Sequence, residues 1–97
     1  MSRIVHVLVR GRVQGVGFRA WVHHHAELNG LGGWVRNRRD GAVEAVFAGP
    51  ADLVEVMLKA CRQGPASSQV DAVDRLPDPD PSTNTVEPSR FKVLPTV

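Results

Sequence analysis

Cysteine and aromatic residues are scarce in this sequence, and each shortage excludes a class of protein. The 97 residues include one cysteine, no tyrosine, three phenylalanines and two tryptophans. Because Cys61 has no partner for an internal disulfide, the chain is not a disulfide-stabilised secreted domain, and a reducing compartment is favoured. Sheets that bind RNA display aromatic side chains, whereas here the aromatic residues fall largely in apolar stripes. We therefore expect a cytoplasmic protein with no nucleic acid partner.

Long hydrophobic runs are missing as well. No apolar stretch approaches the ~20 residues that a membrane-spanning helix needs. The apolar segment at residues 4–9 contains His6 and lacks the small-residue cleavage site of a signal peptide. A chain of 97 residues is long enough for one hydrophobic core and too short for two. We expect a single domain over residues 1–97, a monomer, and no membrane partner.

Acidic residues are scarce in the first part of the chain. Residues 1–39 contain seven arginines and one carboxylate, Glu27, whereas residues 40–97 contain five basic and nine acidic residues. The net charge is only +2, so the positive field is concentrated in the N-terminal part. Such a field attracts small anions, although a general basic surface would have the same composition.

A glycine-bearing turn follows the first apolar run. The segment at residues 11–19 reads Gly-Arg-Val-Gln-Gly-Val-Gly-Phe-Arg, and a helical apolar pattern continues from it. Gly15 and Gly17 allow positive φ angles, so that successive backbone N–H groups can converge on one point. The first turn of the helix adds unsatisfied N–H donors and the positive end of its dipole. Arg19 can bind two oxygens of a phosphate or carboxylate, so the segment predicts an anion site.

This segment and the Gly-Trp-Val-Arg-Asn run at residues 33–37 resemble the acylphosphatase family, whose signature is a Gly-x-Val-Gln-Gly-Val-x-Phe-Arg loop followed by a Gly-Trp-Val-x-Asn strand. The resemblance implies hydrolysis of the carboxyl–phosphate bond of acyl phosphates to a carboxylate and inorganic phosphate, with no metal, no cofactor and no covalent intermediate. Arg19 and Asn37 would be the catalytic residues, with Asn37 orienting the attacking water. The phosphate would be bound by Val13, Gln14, Gly15, Val16, Gly17, Phe18 and Arg19.

The predicted elements follow one another as strand, helix, strand, strand, helix, strand, strand. Strands are predicted at residues 4–9, 34–37, 43–47, 70–76 and 91–94. Two helices between them carry apolar stripes, the first running from Phe18 to Leu28 and the second including Val56. Asp40-Gly41 predicts a two-residue type I′ hairpin, and residues 77–85 predict an irregular loop.

This order predicts an α+β fold. It corresponds to a ferredoxin-like sandwich, in which two helices cover one face of an antiparallel sheet in the order βαββαβ. A short additional strand at the C-terminus would extend the sheet beyond four strands. The resemblance to acylphosphatases implies the same fold.

Several other side chains could carry chemistry, and the sequence favours a structural role for each. His6 has no carboxylate or serine near it in the sequence, so a structural role is favoured over that of a catalytic base. His23, His24 and His25 point about 100° apart on a helix and cannot converge on one ion, so no metal site is predicted. Cys61 lies on an apolar stripe without a neighbouring base and is predicted to be buried and unreactive.

The sequence leaves three alternatives open. Arg38 follows Asn37 where the family often has threonine, and its charge would either tighten phosphate binding or point into solvent. The chain could instead be a non-catalytic ferredoxin-like module that binds anions or nucleic acid. It could also be a detached phosphate-binding domain like the one in a hydrogenase-maturation carbamoyltransferase, although the termini favour a free-standing enzyme. No residues specify the acyl group of the substrate.

Overall fold

The computed structural model describes residues 2–79 and 86–97. Its elements confirm the predicted order and the α+β, ferredoxin-like architecture. No helix within these two ranges is long and apolar enough to cross a membrane. The elements are β1 (Ser2–Arg12), α1 (Phe18–Leu28), β2 (Gly32–Asn37), β3 (Val43–Pro50), α2 (Ala51–Gln63), β4 (Gln69–Leu76) and β5 (Phe91–Val93).

The strands form one sheet in the order β4-β1-β3-β2-β5. β1 pairs antiparallel with β3 and β4, and β2 pairs antiparallel with β3. β5 pairs parallel with β2, from Gly33↔Phe91 to Val35↔Val93, so the predicted additional C-terminal strand extends the antiparallel four-stranded sheet with one parallel pair. β3, α2 and β4 lie between β2 and β5 in the chain, and so long a separation permits a parallel pair. Within the predicted irregular loop, residues 80–85 lie outside the described residues.

Both helices pack on the same face of the sheet, against inward-facing residues of β1, β2 and β3. α1 buries Phe18, Val22 and Ala26, which are four residues apart and share one side of the helix. Leu28 is 68% exposed and Val56 of α2 is 51% exposed, so both predicted stripe positions are wrong. Residues three and four positions apart can be chosen on two adjacent sides of the same helix. The sequence spacing does not distinguish these sides, and packing against the sheet decides which of them is buried.

The hairpin between β2 and β3 is closed by a three-residue loop at residues 39–41. The Gly41 N–H donates to the Arg38 carbonyl (3.1 Å), and the Arg38 N–H donates to the Ala42 carbonyl (2.9 Å). Gly41 has a φ of 95°. Among the described residues Ser89 is the only non-glycine residue with positive φ, so Asp40 has a negative φ. The predicted type I′ turn is therefore wrong, because it would need positive φ at Asp40 as well. Asp40 Oδ1 instead accepts the Ala42 N–H (3.0 Å) and stabilises the loop.

Candidate active site

The turn at residues 13–17, which we call the cradle loop, connects β1 to α1. Gly15 and Gly17 have φ angles of 74° and 79°, in the left-handed region. A Cβ at either position would meet no atom within 4 Å, so the φ angle and not a lack of space requires glycine. The backbone N–H groups of residues 14–17 donate to no acceptor within the described part of the chain. They are therefore available to an anion.

α1 begins at the end of the cradle loop, with Gly17 as its N-cap. No side chain caps this end and the first turn contains no acidic residue, so neither a cap nor a carboxylate of the helix itself offsets the positive end of the dipole. Arg19 is the second residue of the helix, and its side chain is half-buried. That side chain makes no hydrogen bond or ion pair with any residue that the structure describes. The guanidinium is therefore open to a ligand.

Asn37 is the last residue of β2, and its side chain lies on the same sheet face as Val35, as the two-residue period predicts. The side-chain Oδ1 is buried and has no hydrogen-bond partner in the described ranges. The backbone is held from both sides, because Val43 pairs with Asn37 in the ladder and the Val97 N–H donates to the Asn37 carbonyl (3.1 Å). A buried oxygen without a partner costs ~1–3 kcal/mol, and a bound water or ligand group would remove that cost.

A cleft of about 330 Å³ brings these parts together. Arg19 and Asn37, the two predicted catalytic residues, come from different elements and both line it. Ala20, which the sequence analysis missed, lines it as the third residue of α1, a position that the predicted helix start could have indicated. The lining residues are Val13, Gln14, Gly15, Gly17, Phe18, Arg19, Ala20 and Asn37.

Three of the predicted phosphate-binding residues have fewer groups available to a phosphate in the cleft than the others have. The Val13 N–H already donates to the Gly11 carbonyl (3.1 Å). Val16 is not among the residues that line the cleft, since its side chain packs against the core and its carbonyl accepts the Ser67 hydroxyl (3.0 Å). The Phe18 side chain is 1% exposed and belongs to the core, so its backbone is the part that can contribute.

A second cleft, of about 360 Å³, lies between the start of β1, the end of β3 and residues 86–89. Arg3 is the only charged side chain among the described residues that line it, and its guanidinium lies 3.6 Å from the Glu55 carboxylate. The first turn of the neighbouring α2 carries Asp52, which offsets the positive end of that helix dipole. The cleft at the cradle loop is therefore the more favourable of the two for binding an anion.

The face of the sheet away from the helices carries a charged cluster that the sequence analysis missed. Glu44 of β3 is 4% exposed; its Oε2 lies 2.6 Å from His6 Nε2, and its Oε1 accepts bonds from Arg36 Nε (2.8 Å) and Arg38 Nη1 (3.3 Å). Burial raises the pKa of Glu44, but the bonds from Arg36 and His6 outweigh it and hold the pKa below its ordinary value. His6 Nδ1 also lies 3.0 Å from the Pro77 carbonyl, so both ring nitrogens contact protein groups; the structural role of this histidine stays a prediction.

Arg38 belongs to this cluster and not to the cleft. Its guanidinium contacts Asp40 (3.3 Å) and Glu44 (3.3 Å), and these hydrogen bonds raise its pKa. Because side chains alternate along a strand, Arg38 and Asn37 point to opposite faces. Arg38 is thus paired with two carboxylates. The sequence had suggested that it either tightens phosphate binding or points into solvent, and neither suggestion included this pairing.

The other candidate residues have ordinary structural surroundings. His23 contacts Glu27 one helical turn later (3.1 Å). Within the residues that the structure describes, no group of three or more His, Cys, Asp or Glu side chains could hold a metal ion. Cys61 is buried, and burial raises the pKa of its thiol to about 12, so the thiol stays protonated at neutral pH as expected for an unreactive cysteine.

Comparison with known proteins agrees with this geometry. The family model described as acylphosphatase matches residues 5–93. The chain is 54% identical over 99 residues to an acylphosphatase from Bradyrhizobium diazoefficiens, covering 100% of both proteins, and 53% identical over 92 residues to one from Nitrobacter hamburgensis, covering 94% of this chain and 93% of that protein. The crystal structure of acylphosphatase from Bacillus subtilis superposes with a TM-score of 0.81 at 33% identity, covering 97% of this chain and 99% of that one. The chain belongs to the acylphosphatase family.

Proposed function

We propose that this protein hydrolyses the carboxyl–phosphate bond of acyl phosphates, giving a carboxylate and inorganic phosphate. The observation that carries the proposal is the cleft in which backbone N–H groups, the Arg19 guanidinium and the Oδ1 of Asn37 meet, none of which has a hydrogen-bond partner among the described residues. Family membership over residues 5–93 supports the same reaction. It also disfavours a non-catalytic module that binds anions or nucleic acid.

The phosphoryl group is bound by the cradle loop and the start of α1. The N–H groups of residues 14–17 and of the first helical turn direct partial positive charge at its oxygens. Arg19 supplies a full charge and two parallel donors, which match two oxygens of one phosphate. An acyl phosphate already has a good leaving group, so positioning and charge stabilisation provide most of the catalysis.

Asn37 orients the attacking water. Its buried Oδ1 can accept a hydrogen bond from water, while an amide is not basic enough to remove a proton at neutral pH. The water oxygen bonds to phosphorus, the bond from phosphorus to the acyl oxygen breaks, and the carboxylate leaves with the bonding pair. The proton of the water passes to an oxygen of the substrate's own phosphate.

We also propose how the protein is organised around this site. It acts as a single domain over residues 1–97, as a monomer, in the cytoplasm and without nucleic acid. The single core cluster of the described residues and the buried lone Cys61 support a one-domain protein of a reducing compartment. The reaction as written uses no bound metal or cofactor.

The test is hydrolysis by the purified protein of benzoyl phosphate and of p-nitrophenyl phosphate, a phosphate monoester, each with and without EDTA. We expect turnover of the acyl phosphate that is unchanged by EDTA. We expect hardly any turnover of the monoester, because the described residues that line the cleft include no Ser, Cys, His, Asp or Glu side chain to act as a nucleophile or to hold a metal for a poorer leaving group. Arg19→Ala protein, prepared in parallel, controls for contaminating phosphatases. Equal turnover of both substrates, loss of activity in EDTA, or no hydrolysis would contradict the proposal.

A further inference from the structure

The side chain of Gln14 leaves the cradle loop and reaches the β2–β3 hairpin. Its Nε2 lies 2.7 Å from the Arg38 carbonyl oxygen and 2.8 Å from the Ala42 carbonyl oxygen. Both of these groups can only accept hydrogen bonds, so the amide must present its NH₂ group and use both of its N–H donors. The side chain therefore has no donor left for a bound phosphate.

The two carbonyls that Gln14 contacts are the ones that close the hairpin loop. The Arg38 carbonyl also accepts the Gly41 N–H (3.1 Å), and the Ala42 carbonyl also accepts the Arg38 N–H (2.9 Å). One planar amide thus bridges the two sides of the loop immediately after Asn37. In the described ranges, no other side-chain hydrogen bond connects the cradle loop with residues 37–42.

We propose that Gln14 is a positioning residue, which fixes Asn37 relative to the bound phosphate by tying the β2–β3 hairpin to the cradle loop. This inference rests on the proposed function. The phosphate and the water must be held in line for attack, and they are held by different parts of the chain, the cradle loop with α1 and the end of β2. The Gln14 side chain joins these two parts directly, so it sets the distance between them.

Gln14→Met tests the proposal, because methionine keeps the length of the side chain and removes both donors. We expect kcat to fall about 10- to 100-fold, since a displacement of ~1 Å can cost 10²-fold in rate. Inhibition by inorganic phosphate should change less than about threefold, because the free N–H groups and Arg19 remain in place. Gln14→Asn keeps the amide but is too short to reach both carbonyls, and it should be impaired to a similar degree.

Ser67→Ala is the matched control. Ser67 also donates a side-chain hydrogen bond to the cradle loop, at the Val16 carbonyl (3.0 Å), but it does not contact the hairpin. Its removal should leave kcat within about threefold of wild type. An equal loss in Ser67→Ala and Gln14→Met would show that general loosening of the cradle loop is responsible, and would overturn the positioning role.

The double variant Gln14→Met/Asn37→Ala tests whether Gln14 acts through Asn37. Once Asn37 is absent, Gln14→Met should lower kcat by less than about threefold, because positioning matters only if there is a side chain to position. A full further loss in the double variant, or a fully active Gln14→Met protein, overturns the proposal.

Amide hydrogen exchange gives a readout that does not depend on activity. The Gly41 and Arg38 N–H groups should exchange about tenfold faster in Gln14→Met than in wild type. In Ser67→Ala they should exchange at the wild-type rate. Unchanged exchange in Gln14→Met overturns the proposal that the Gln14 side chain holds the hairpin loop. A wild-type protein that hydrolyses no acyl phosphate overturns the proposed function itself, whereas an active wild type with a fully active Gln14→Met overturns only the role of Gln14.

Discussion

Replacing Asn37 by alanine separates a catalytic role from a structural one. In the described part of the chain the Oδ1 of Asn37 is buried and makes no hydrogen bond, so the side chain gives the folded protein no polar contact at that atom. The backbone contacts with Val97 and Val43 do not depend on the side chain. The substitution therefore removes a group that is available for the water and leaves the strand end intact.

The structure sets the size of both expected effects. If Asn37 stabilises the transition state through the water, its loss should lower kcat by about 10²–10³, as for one oxyanion donor. KM and inhibition by inorganic phosphate should barely change, because the interaction is made chiefly in the transition state. An unsatisfied buried oxygen costs ~1–3 kcal/mol, and its removal offsets the lost packing. The free energy of unfolding should therefore stay within ~1 kcal/mol of wild type.

Asn29→Ala provides the control for the stability measurement. Asn29 lies at the C-cap of α1, and its Nδ2 donates to the His25 carbonyl (2.9 Å), so this asparagine has the partner that Asn37 lacks. We expect Asn29→Ala to lose ~1 kcal/mol, or about 4–8 °C in Tm, and to keep full activity. The assays are kcat and phosphate inhibition with benzoyl phosphate, and thermal unfolding by circular dichroism. An Asn37→Ala protein with a lowered Tm and nearly full activity would refute the reasoning.

Two further predictions concern charged side chains. Arg19→Lys keeps the charge but loses the two parallel donors of the guanidinium. We expect kcat/KM to fall about 10²-fold or more and phosphate inhibition to weaken, with Tm unchanged. Near-normal turnover would show that Arg19 is only a surface charge. Glu44→Ala removes the buried carboxylate that Arg36 and His6 contact and should cost ~2 kcal/mol in urea unfolding, with phosphate inhibition retained. Because the folded pKa of Glu44 lies below its ordinary 4.5, its contribution is present above that pH and declines as the pH falls through the folded pKa. Wild type should therefore lose more stability than Glu44→Ala between pH 6 and pH 3, and parallel losses would contradict the assignment.

The order of the elements could be predicted because it follows from local patterns. An apolar run predicts β1, and three- and four-residue spacing of apolar residues predicts α1 and α2. Features that depend on distant contacts were predicted less well. The direction of β5 depends on which strand edge remains unpaired, and the loop of the hairpin depends on the register between β2 and β3. Leu28 and Val56 match a helical stripe, but the sheet covers a different side of each helix.

The candidate site likewise has parts that adjacent residues predict and parts that only the assembled fold brings together. The cradle loop is local chemistry: positive φ at Gly15 and Gly17 and free donors at a helix start are properties of residues adjacent in the chain, and they can be recognised there. The approach of Asn37 to that loop, and the bond from Gln14 to the hairpin, required the assembled fold. These contacts join segments whose separation is set by strand register and by helix packing. Register and packing are decided by burial of the whole core, so no short stretch of sequence contains them.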